Sequence, residues 1–173
     1  MDVGCGNGYF THYLAKLYDV TGLDFSKEML NQNSHHKLVQ GDAENLPFKN
    51  SSFDIVFCSN LLHHLADPKI AIKEMIRVSN KYIILSEPNR NNPLMYLFGL
   101  LKKEENGLLK INKKYLNRIC IDQNLEPIKI LTSGFIFPNK TPNFPLLIFI
   151  LKLFDLNSFL GSYITVIYKK INL

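Results

Sequence analysis

Short apolar stretches alternate with amphipathic ones through the first half of the chain. The apolar stretches have the length of strands and occupy Val20–Asp24, Lys37–Gln40, Phe53–Cys58 and Tyr82–Leu85. The stretches around them space their apolar residues three and four apart, as helices do, and cover Tyr9–Tyr18, Ser26–Asn31 and Asp67–Arg77. This alternation predicts an α/β fold in which right-handed crossovers join parallel strands.

Two of these segments carry more detailed predictions. Phe53–Cys58 is continuously apolar, which predicts a parallel strand that is buried on both faces. In Asp67–Arg77, the helical spacing predicts that four apolar side chains point toward the core, namely Ile70, Ala71, Met75 and Ile76.

The second half of the chain follows a different pattern. Asn112 can cap a helix that runs to about Gln123, and Ile128–Leu131 and Tyr163–Tyr168 have the composition of strands. These two late strands do not alternate strictly with helices, so they predict an antiparallel end to the sheet. Between them lie a proline-spaced stretch, Phe135–Pro145, and a very apolar one, Leu146–Leu156.

Charge is distributed unevenly along the 173 residues, a length that fits one domain. Residues 1–60 carry 4 basic and 7 acidic side chains, whereas residues 61–173 carry 16 and 8. The basic half could face an anionic substrate or surface, or it could be a solvated lysine-rich face. The solvated face is favoured because no run of five like charges occurs.

The three cysteines lie far apart within apolar stretches, at Cys5, Cys58 and Cys120. Their odd number and their spacing predict packed thiols in a reducing compartment, so we expect a cytoplasmic protein without a disulfide framework or a metal site. The longest apolar run, Leu146–Leu151, is far shorter than the ~20 residues that a membrane span requires.

A glycine-rich turn stands at the beginning of the chain. Gly4, Gly6 and Gly8 occupy alternate positions directly before the first predicted helix. Glycine reaches positive φ without strain, and its missing Cβ lets a ligand lie against the backbone. Asp24 follows Gly4 by 20 residues, at the end of the next strand, which is the offset of a carboxylate that binds a ribose diol.

Each of these features has a competing interpretation. A nicotinamide dehydrogenase would need a third glycine at the position of Tyr9, in the pattern G-x-G-x-x-G. Asp24 could simply cap the following helix, and Asp42 could be an ordinary turn carboxylate. The ligand-binding interpretation is favoured because the features occur together.

Four motifs in order resemble those of class I S-adenosylmethionine-dependent methyltransferases, in the small-molecule branch known as type 11. They are GCGNG, GLDFS, GDAENLPF and FDIVFCSNLLHHL, and the resemblance covers residues 2 to about 88. It implies that S-adenosyl-L-methionine is the cofactor. It also implies cofactor-binding roles for Asp2, Gly4, Gly6, Gly8, Asp24, Phe25, Asp42, Ala43 and Asn60.

Each of these roles follows from the matching position in the family. The glycines and Asp2 would hold the methionine part, Asp24 would bind both ribose hydroxyls, and Phe25 would lie beside the adenine. Asp42 would accept the adenine amino group, with Ala43 donating a backbone N–H. Asn60 would lie near the sulfonium methyl group.

The resemblance also implies a fold, a Rossmann-like, mostly parallel seven-stranded sheet of order 3-2-1-4-5-7-6 with an antiparallel last strand. Residues 1–173 would form one domain, with 1–88 as the cofactor-binding half and 89–173 as the substrate-side and closing elements. The chain departs from the family at Ser79-Asn80-Lys81, where a Gly-Gly pair is usual. Few residues precede Gly4, so we expect a truncated first strand and a chain that is a fragment.

Two side chains are candidate catalytic bases. His64, in the His63–His64 pair, could remove a proton from the nucleophile, and Glu87 at the end of the fifth strand could do the same. The competing interpretation is structural, with one histidine packing beneath the cofactor loop and the other capping a turn or facing solvent.

The expected activity is methyl transfer to a small, partly apolar acceptor by in-line displacement. The alternative is a catalytically impaired cofactor-binding or partner-binding protein of the same fold. We expect Asn89–Leu97 and Phe135–Phe149 to build the acceptor pocket, and no nucleic acid partner, because no recognition motif is present. Phe144–Leu156 is either a lid or a helix in peripheral contact with lipid.

Overall fold

The fold is a single twisted sheet with helices packed against it. The computed structural model describes residues 1–123, 125–134 and 161–171. The strands of the described residues are β1 (Asp2–Val3), β2 (Gly22–Asp24), β3 (Leu38–Gln40), β4 (Phe53–Ser59), β5 (Ser79–Pro88), β6 (Leu125–Ser133) and β7 (Tyr163–Lys170).

The strands form one seven-stranded sheet in the order β3-β2-β1-β4-β5-β7-β6. β1 to β5 pair in parallel, whereas β7 is antiparallel to both β5 and β6. The predicted sheet order and antiparallel last strand are therefore confirmed. β1 is two residues long, and it pairs with β2 on one side and with β4 on the other.

The helices are α1 (Tyr9–Leu14), α2 (Lys27–Gln32), α3 (Pro68–Val78), α4 (Pro93–Leu101) and α5 (Lys113–Ile121), with 3₁₀ segments at Leu62–His64 and Lys103–Lys110. Three begin at predicted caps. The side chains of Ser26, Asp67 and Asn112 accept hydrogen bonds from backbone N–H groups in the first turns of α2, α3 and α5. Such bonds satisfy N–H groups that a helix leaves unpaired at its start.

The core lies between the sheet and the helices α3 and α5. β4 pairs with a strand on each side, and Val56 and Cys58 are fully buried within it. Tyr168 of β7 and Leu116 of α5 also belong to this apolar cluster. β4 is parallel to both neighbours as predicted, but the prediction of burial on both faces was wrong, because Ile55 and Phe57 on its other face are only partly buried.

The buried face of α3 differs from the predicted one. Ala71, Ile72 and Met75 are fully buried, whereas Ile70 is 46% exposed. Counting from Pro68, the buried positions recur three and four residues apart and form one stripe of the helix. Ile70 lies off that stripe, because the packing of α3 on the sheet fixes a rotation that the apolar pattern alone leaves open.

Helix α1 is shorter than predicted. It ends at Leu14, and its apolar side chains Tyr9 and Tyr13 are 63% and 54% exposed. The residue of α1 that packs inward is Thr11, whose hydroxyl donates a hydrogen bond of 2.6 Å to Asp2. The polar contact between Thr11 and Asp2, and not the spacing of the apolar residues, therefore determines which face of α1 is buried.

Helix α4 and the 3₁₀ segment after it were not predicted. Asn92 caps the backbone N–H groups of Leu94 and Met95, and Pro93 occupies the first turn. Asn-Pro is a helix-start signal that is present in the sequence. The stretches predicted at Phe135–Pro145, Phe144–Leu156 and Leu146–Leu156 lie outside the described residues.

Candidate functional site

The glycine turn connects β1 to α1 through three residues with positive φ. Gly4, Gly6 and Gly8 have φ values of 73°, 51° and 89°. The N–H of Gly4 bonds to the carbonyl of Leu23, so the turn is anchored to the end of β2. A Cβ on Gly8 would lie 2.3 Å from Oδ1 of Asn33, so both the backbone and the space require glycine there.

A cleft of about 650 Å³ opens where the parallel strands end. This volume is within the usual range of small-molecule sites. Its wall is formed by Gly4, Cys5, Gly6, Asn7, Tyr9, Phe10, Asp24, Met29, Ser59, Asn60, Leu61, His64, Ser86, Ser133, Gly134, Tyr163 and Thr165. The structure therefore brings together four of the predicted cofactor residues, Gly4, Gly6, Asp24 and Asn60.

Asp24 faces this cleft at the end of β2. Its Oδ2 accepts a hydrogen bond from the N–H of Gly6, and its Oδ1 accepts one from the N–H of Ser26, both at 2.8 Å. A carboxylate has about four lone-pair directions, so both oxygens retain capacity for further donors. Asp24 can therefore hold the glycine turn and bind ligand hydroxyls simultaneously.

Asn60 occupies the end of β4 in a left-handed conformation, with φ 55°. Its backbone N–H bonds to the carbonyl of Ser86, and its side-chain Nδ2 donates to Ser59 at 3.2 Å. A non-glycine residue in this region is strained, and such strain concentrates at functional sites. The conformation directs the chain sharply away from β4 and leaves Asn60 in the cleft wall.

The residues predicted to contact adenine lie beyond this wall. Phe25 is 76% exposed, Asp42 is exposed, and Ala43 is buried. Oδ1 of Asp42 accepts a hydrogen bond of 2.8 Å from the N–H of Glu44 within the turn after β3. Their adenine-binding roles therefore stay predictions. The structure shows only that these residues lie past the ends of β2 and β3.

Arg77 at the end of α3 holds the loop that carries Asp42. Its guanidinium donates to the carbonyls of Leu46 and Phe48 at 2.8 and 2.7 Å, and it is paired with Glu74. Glu74 in turn accepts the N–H of Leu46 at 2.9 Å. The hydrogen bonds to Arg77 lower the pKa of Glu74, and they outweigh burial, which acts to raise it. This pair was not predicted from the sequence.

Asp2 is buried below the glycine turn, and it does not line the cleft formed by the described residues. Burial raises its pKa to about 6, although the hydrogen bond from Thr11 opposes that shift. The prediction that Asp2 helps to hold the methionine part stays a prediction, and its buried position favours an indirect role. Its carboxyl group fixes α1 against β1, and so it fixes the two ends of the glycine turn.

Glu87 at the end of β5 is completely buried. Its Oε1 accepts hydrogen bonds from the N–H groups of Leu61 and Leu62 at 3.0 and 2.9 Å, and its Oε2 lies 2.7 Å from Nδ1 of His63. A carboxylate enclosed in this way cannot reach an acceptor in the cleft. The prediction of Glu87 as a catalytic base is therefore corrected to a positioning role for the turn after β4.

His63 bridges two carboxylates. Its Nε2 lies 3.1 Å from Oε2 of Glu105, opposite its contact with Glu87. A neutral imidazole donates from only one nitrogen, so two carboxylate partners favour the protonated ring. Burial acts to lower the pKa of His63, but Glu87 and Glu105 outweigh it, and the pKa is raised. This bridge ties the second 3₁₀ segment to the end of β5.

His64 is the exposed member of the histidine pair, and it lines the cleft. Its Nδ1 lies 3.2 Å from the carbonyl oxygen of Glu104. The ligand atoms of His63, His64 and Glu105 all lie within 4.8 Å of one another among the described residues. Both nitrogens of His63 are already hydrogen-bonded to carboxylates. A proton on the His63 ring therefore satisfies these contacts in place of a metal ion.

The cleft residues that were not predicted from the sequence include Ser86, Tyr163 and Thr165. They belong to β5 and β7, which pair so that Ser86 lies opposite Thr165. The antiparallel direction of β7 brings its first residues to the ligand edge of the sheet, and the expected antiparallel strand could have indicated this. By contrast, none of the residues 89–97 predicted for the acceptor pocket lines the cleft formed by the described residues.

A glycine-lined cleft at the carboxyl edge of a sheet ordered 3-2-1-4-5-7-6 is the arrangement that the resemblance to class I S-adenosylmethionine-dependent methyltransferases implies. Residues 1–82 match the family model described as methyltransferase domain. This match covers just under half of the chain, and together with the similar proteins it supports a class I S-adenosylmethionine-dependent methyltransferase with S-adenosyl-L-methionine as its cofactor. The recognition from the four motifs is confirmed.

Curated relatives match slightly less than half of the chain. The demethylmenaquinone methyltransferase of Staphylococcus haemolyticus is 43% identical over 90 residues, which cover 45% of this chain and 37% of that protein. The protein of the same name from Staphylococcus aureus strain JH9 is 42% identical over 89 residues, with the same two coverages. The match thus spans about two fifths of the length of these relatives.

Solved structures match nearly the whole chain in fold. A SAM-dependent methyltransferase from Thermotoga maritima has a TM-score of 0.79 at 20% identity, over 98% of this chain and 80% of that chain. A SAM-dependent methyltransferase from Methanosarcina mazei has a TM-score of 0.73 at 19% identity, over 99% and 92%. At these identities the comparison establishes the fold alone.

Two further predictions can be compared with the structure. The thiols of Cys5, Cys58 and Cys120 are all free and buried, as predicted. Within the described residues, no helix combines the length and the apolar character that a membrane span requires.

Proposed function

We propose that the protein transfers the methyl group of S-adenosyl-L-methionine to a small, partly apolar acceptor. One observation carries the proposal: Gly4, Gly6, Asp24 and Asn60 meet in a single cleft at the carboxyl edge of the sheet. The alternative is a cofactor-binding protein without activity.

The residues of the cleft fit the cofactor. The positive φ angles of the glycine turn leave backbone open to a ligand, and a Cβ on Gly6 would come within 3.3 Å of Met29. The free lone pairs of Asp24 suit the two ribose hydroxyls. Gly4, Gly6 and Gly8 would cradle the methionine part, and Asn60 would lie beside the reacting methyl group.

When bound, the cofactor supplies a methyl group activated by a positively charged sulfur. The protein then has to align the acceptor's nucleophile with that methyl group in line with the breaking bond and to exclude water. Leu61, Tyr9 and Phe10 provide apolar wall for this purpose. His64 is the side chain in the wall that could remove a proton from the acceptor.

The acceptor that these features support is a quinol-like ring. The curated relatives are named demethylmenaquinone methyltransferases, and one of them is 43% identical to this chain over 90 residues. The cleft itself combines aromatic side chains with a small number of polar groups, which suits an apolar ring that carries oxygen atoms. We therefore propose a reduced naphthoquinone-type ring as the class of acceptor.

The proposal is tested in two steps with the full chain. Calorimetry with S-adenosylhomocysteine measures cofactor binding, and transfer of a radiolabelled methyl group to 1,4-naphthalenediol measures activity. We expect both binding and labelled product. Binding without transfer to this diol or to other small phenols would favour the inactive cofactor-binding protein, and absence of binding would contradict both.

A further inference from the structure

One wall of the cleft is formed by the beginning of β7. Tyr163 lies opposite Pro88 of β5 and Ser133 of β6, and Thr165 lies opposite Ser86. Successive side chains of a strand point to opposite faces, so Tyr163 and Thr165 share a face while Ile164 is buried on the other. Both residues line the cleft that also contains Asn60.

The hydroxyl groups of this wall differ in whether they have hydrogen-bond partners. The hydroxyls of Ser86 and Thr165 bond to each other at 3.0 Å. The hydroxyl oxygen of Tyr163 is buried and has no hydrogen-bond partner among the described residues. Leaving a buried polar group unpaired costs free energy, and native proteins rarely accept that cost without a reason.

Asn60 lies near the unpaired hydroxyl. Burial raises the pKa of Tyr163, and the polar side chain of Asn60 acts in the opposite direction. The phenol therefore stays neutral at physiological pH, and it can donate a hydrogen bond as well as accept one. An amide at the end of β4 and a phenol at the beginning of β7, with β5 between the two strands, thus face one region of the cleft.

We propose that the Tyr163 hydroxyl is the binding site for an oxygen atom of the acceptor, a ring hydroxyl or carbonyl on an otherwise apolar body. This assignment rests on the proposed function for the identity of the ligand. Tyr163 would hold the oxygen at the wall beside Asn60, and the apolar side chains Tyr9, Phe10 and Leu61 would contact the ring. The site would thereby discriminate oxygenated rings from plain hydrocarbons of the same size.

A cycle of two ligands and two variants tests the assignment. The ligands are 1-naphthol and naphthalene, which differ by one hydroxyl, and their fluorescence reports binding to the protein saturated with S-adenosylhomocysteine. The variant Tyr163→Phe removes only the hydroxyl. Tyr168→Phe is the matched control, because its hydroxyl is also buried and unpaired on β7 but lies in the core beside Cys120.

We expect the parent protein and Tyr168→Phe to bind 1-naphthol about tenfold more tightly than naphthalene, the usual effect of one net hydrogen bond. In Tyr163→Phe the two ligands should bind equally, with unchanged affinity for S-adenosylhomocysteine. The melting temperature of Tyr163→Phe should not fall, since the substitution removes an unpaired group.

Equal discrimination in the parent and Tyr163→Phe would overturn the assignment, as would a parent that binds neither ligand. A different result would contradict the proposed function. If the parent discriminates the ligands through Tyr163 but transfers no labelled methyl group to 1,4-naphthalenediol, the oxygen site stands and the methyl-transfer proposal is wrong.

Discussion

The carboxylate of Asp24 accepts a hydrogen bond of 2.8 Å from the backbone N–H of Gly6, 18 residues earlier in the chain. This bond joins the end of β2 to the glycine turn. It means that one side chain both shapes the turn and presents lone pairs to the cleft. A substitution there therefore has to separate its structural effect from its effect on binding.

Asp24→Asn tests both effects, and each is measured by itself. The amide retains one acceptor oxygen, so it loses one of the bonds from the N–H groups of Gly6 and Ser26 together with lone pairs for the ligand. We expect a lower melting temperature and a fall in the affinity for S-adenosylhomocysteine of about 2–3 kcal/mol. Calorimetry measures the affinity, and Asp122→Asn at an exposed site is the control. Unchanged affinity in Asp24→Asn would show that ribose binding has been assigned to the wrong residue.

Arg77 should support cofactor binding from outside the cleft. Arg77→Gln removes the bonds to the carbonyls of Leu46 and Phe48, so we expect the loop carrying Asp42 to loosen. The loss should be about 1–3 kcal/mol of unfolding free energy, together with weaker binding of S-adenosylhomocysteine. Denaturant unfolding and calorimetry measure the two effects. Lys73→Gln, on the exposed side of the same helix, should change neither.

Asp2 should make stability depend on pH. Its pKa is raised from 3.8 to about 6 in the folded protein, so the folded state binds this proton more tightly than the unfolded state. The contribution of Asp2 to stability is therefore greatest below about pH 4 and is lost as the pH rises to about 6. The loss amounts to roughly 3 kcal/mol, at 1.36 kcal/mol per pKa unit.

Asp2→Asn tests this dependence. The unfolding free energy of the variant minus that of the parent should become smaller by roughly 3 kcal/mol as the pH falls from 7 to 4. Other titrating groups cancel in this difference. A difference that stays constant over the range would mean that Asp2 titrates normally.

Glu105 should control the protonation of His63. Glu105→Gln removes one of the two carboxylates that hold the pKa of His63 above its ordinary value, so NMR titration should show a lower pKa. Glu104→Gln is the matched control, since Glu104 contacts the histidine pair through its backbone carbonyl. An equal shift of the His63 pKa in both variants would mean that the loss of a nearby negative charge, and not the loss of the direct contact, lowers the pKa.

The contact between Glu105 and His63 also makes stability depend on pH. The raised pKa of His63 contributes stability that is fully present below the unfolded value of about 6.5, and this stability is lost as the pH rises through the folded value. We expect a smaller loss of melting temperature above pH 6.5 in Glu105→Gln than in the parent protein.

Local signals in the sequence determined several parts of this protein. The alternate glycines at Gly4, Gly6 and Gly8 predicted the turn, because only glycine adopts those φ angles freely. Ser26, Asp67 and Asn112 predicted helix starts, since each cap acts within three residues of its own position. The family motifs predicted the sheet order. Asp24 was predicted to bind the ribose hydroxyls, and the structure places it in the cleft wall.

Only the tertiary structure decided which side chains meet across long stretches of chain. Glu87 became a buried support because Leu61, Leu62 and His63 fold over it, and no local pattern records those contacts. The rotation of α3 was likewise fixed by packing, since its pattern of apolar residues fits two faces. Tyr163 joins Asn60 in one cleft because β7 runs antiparallel beside β5, which brings residues 103 positions apart to the same edge of the sheet.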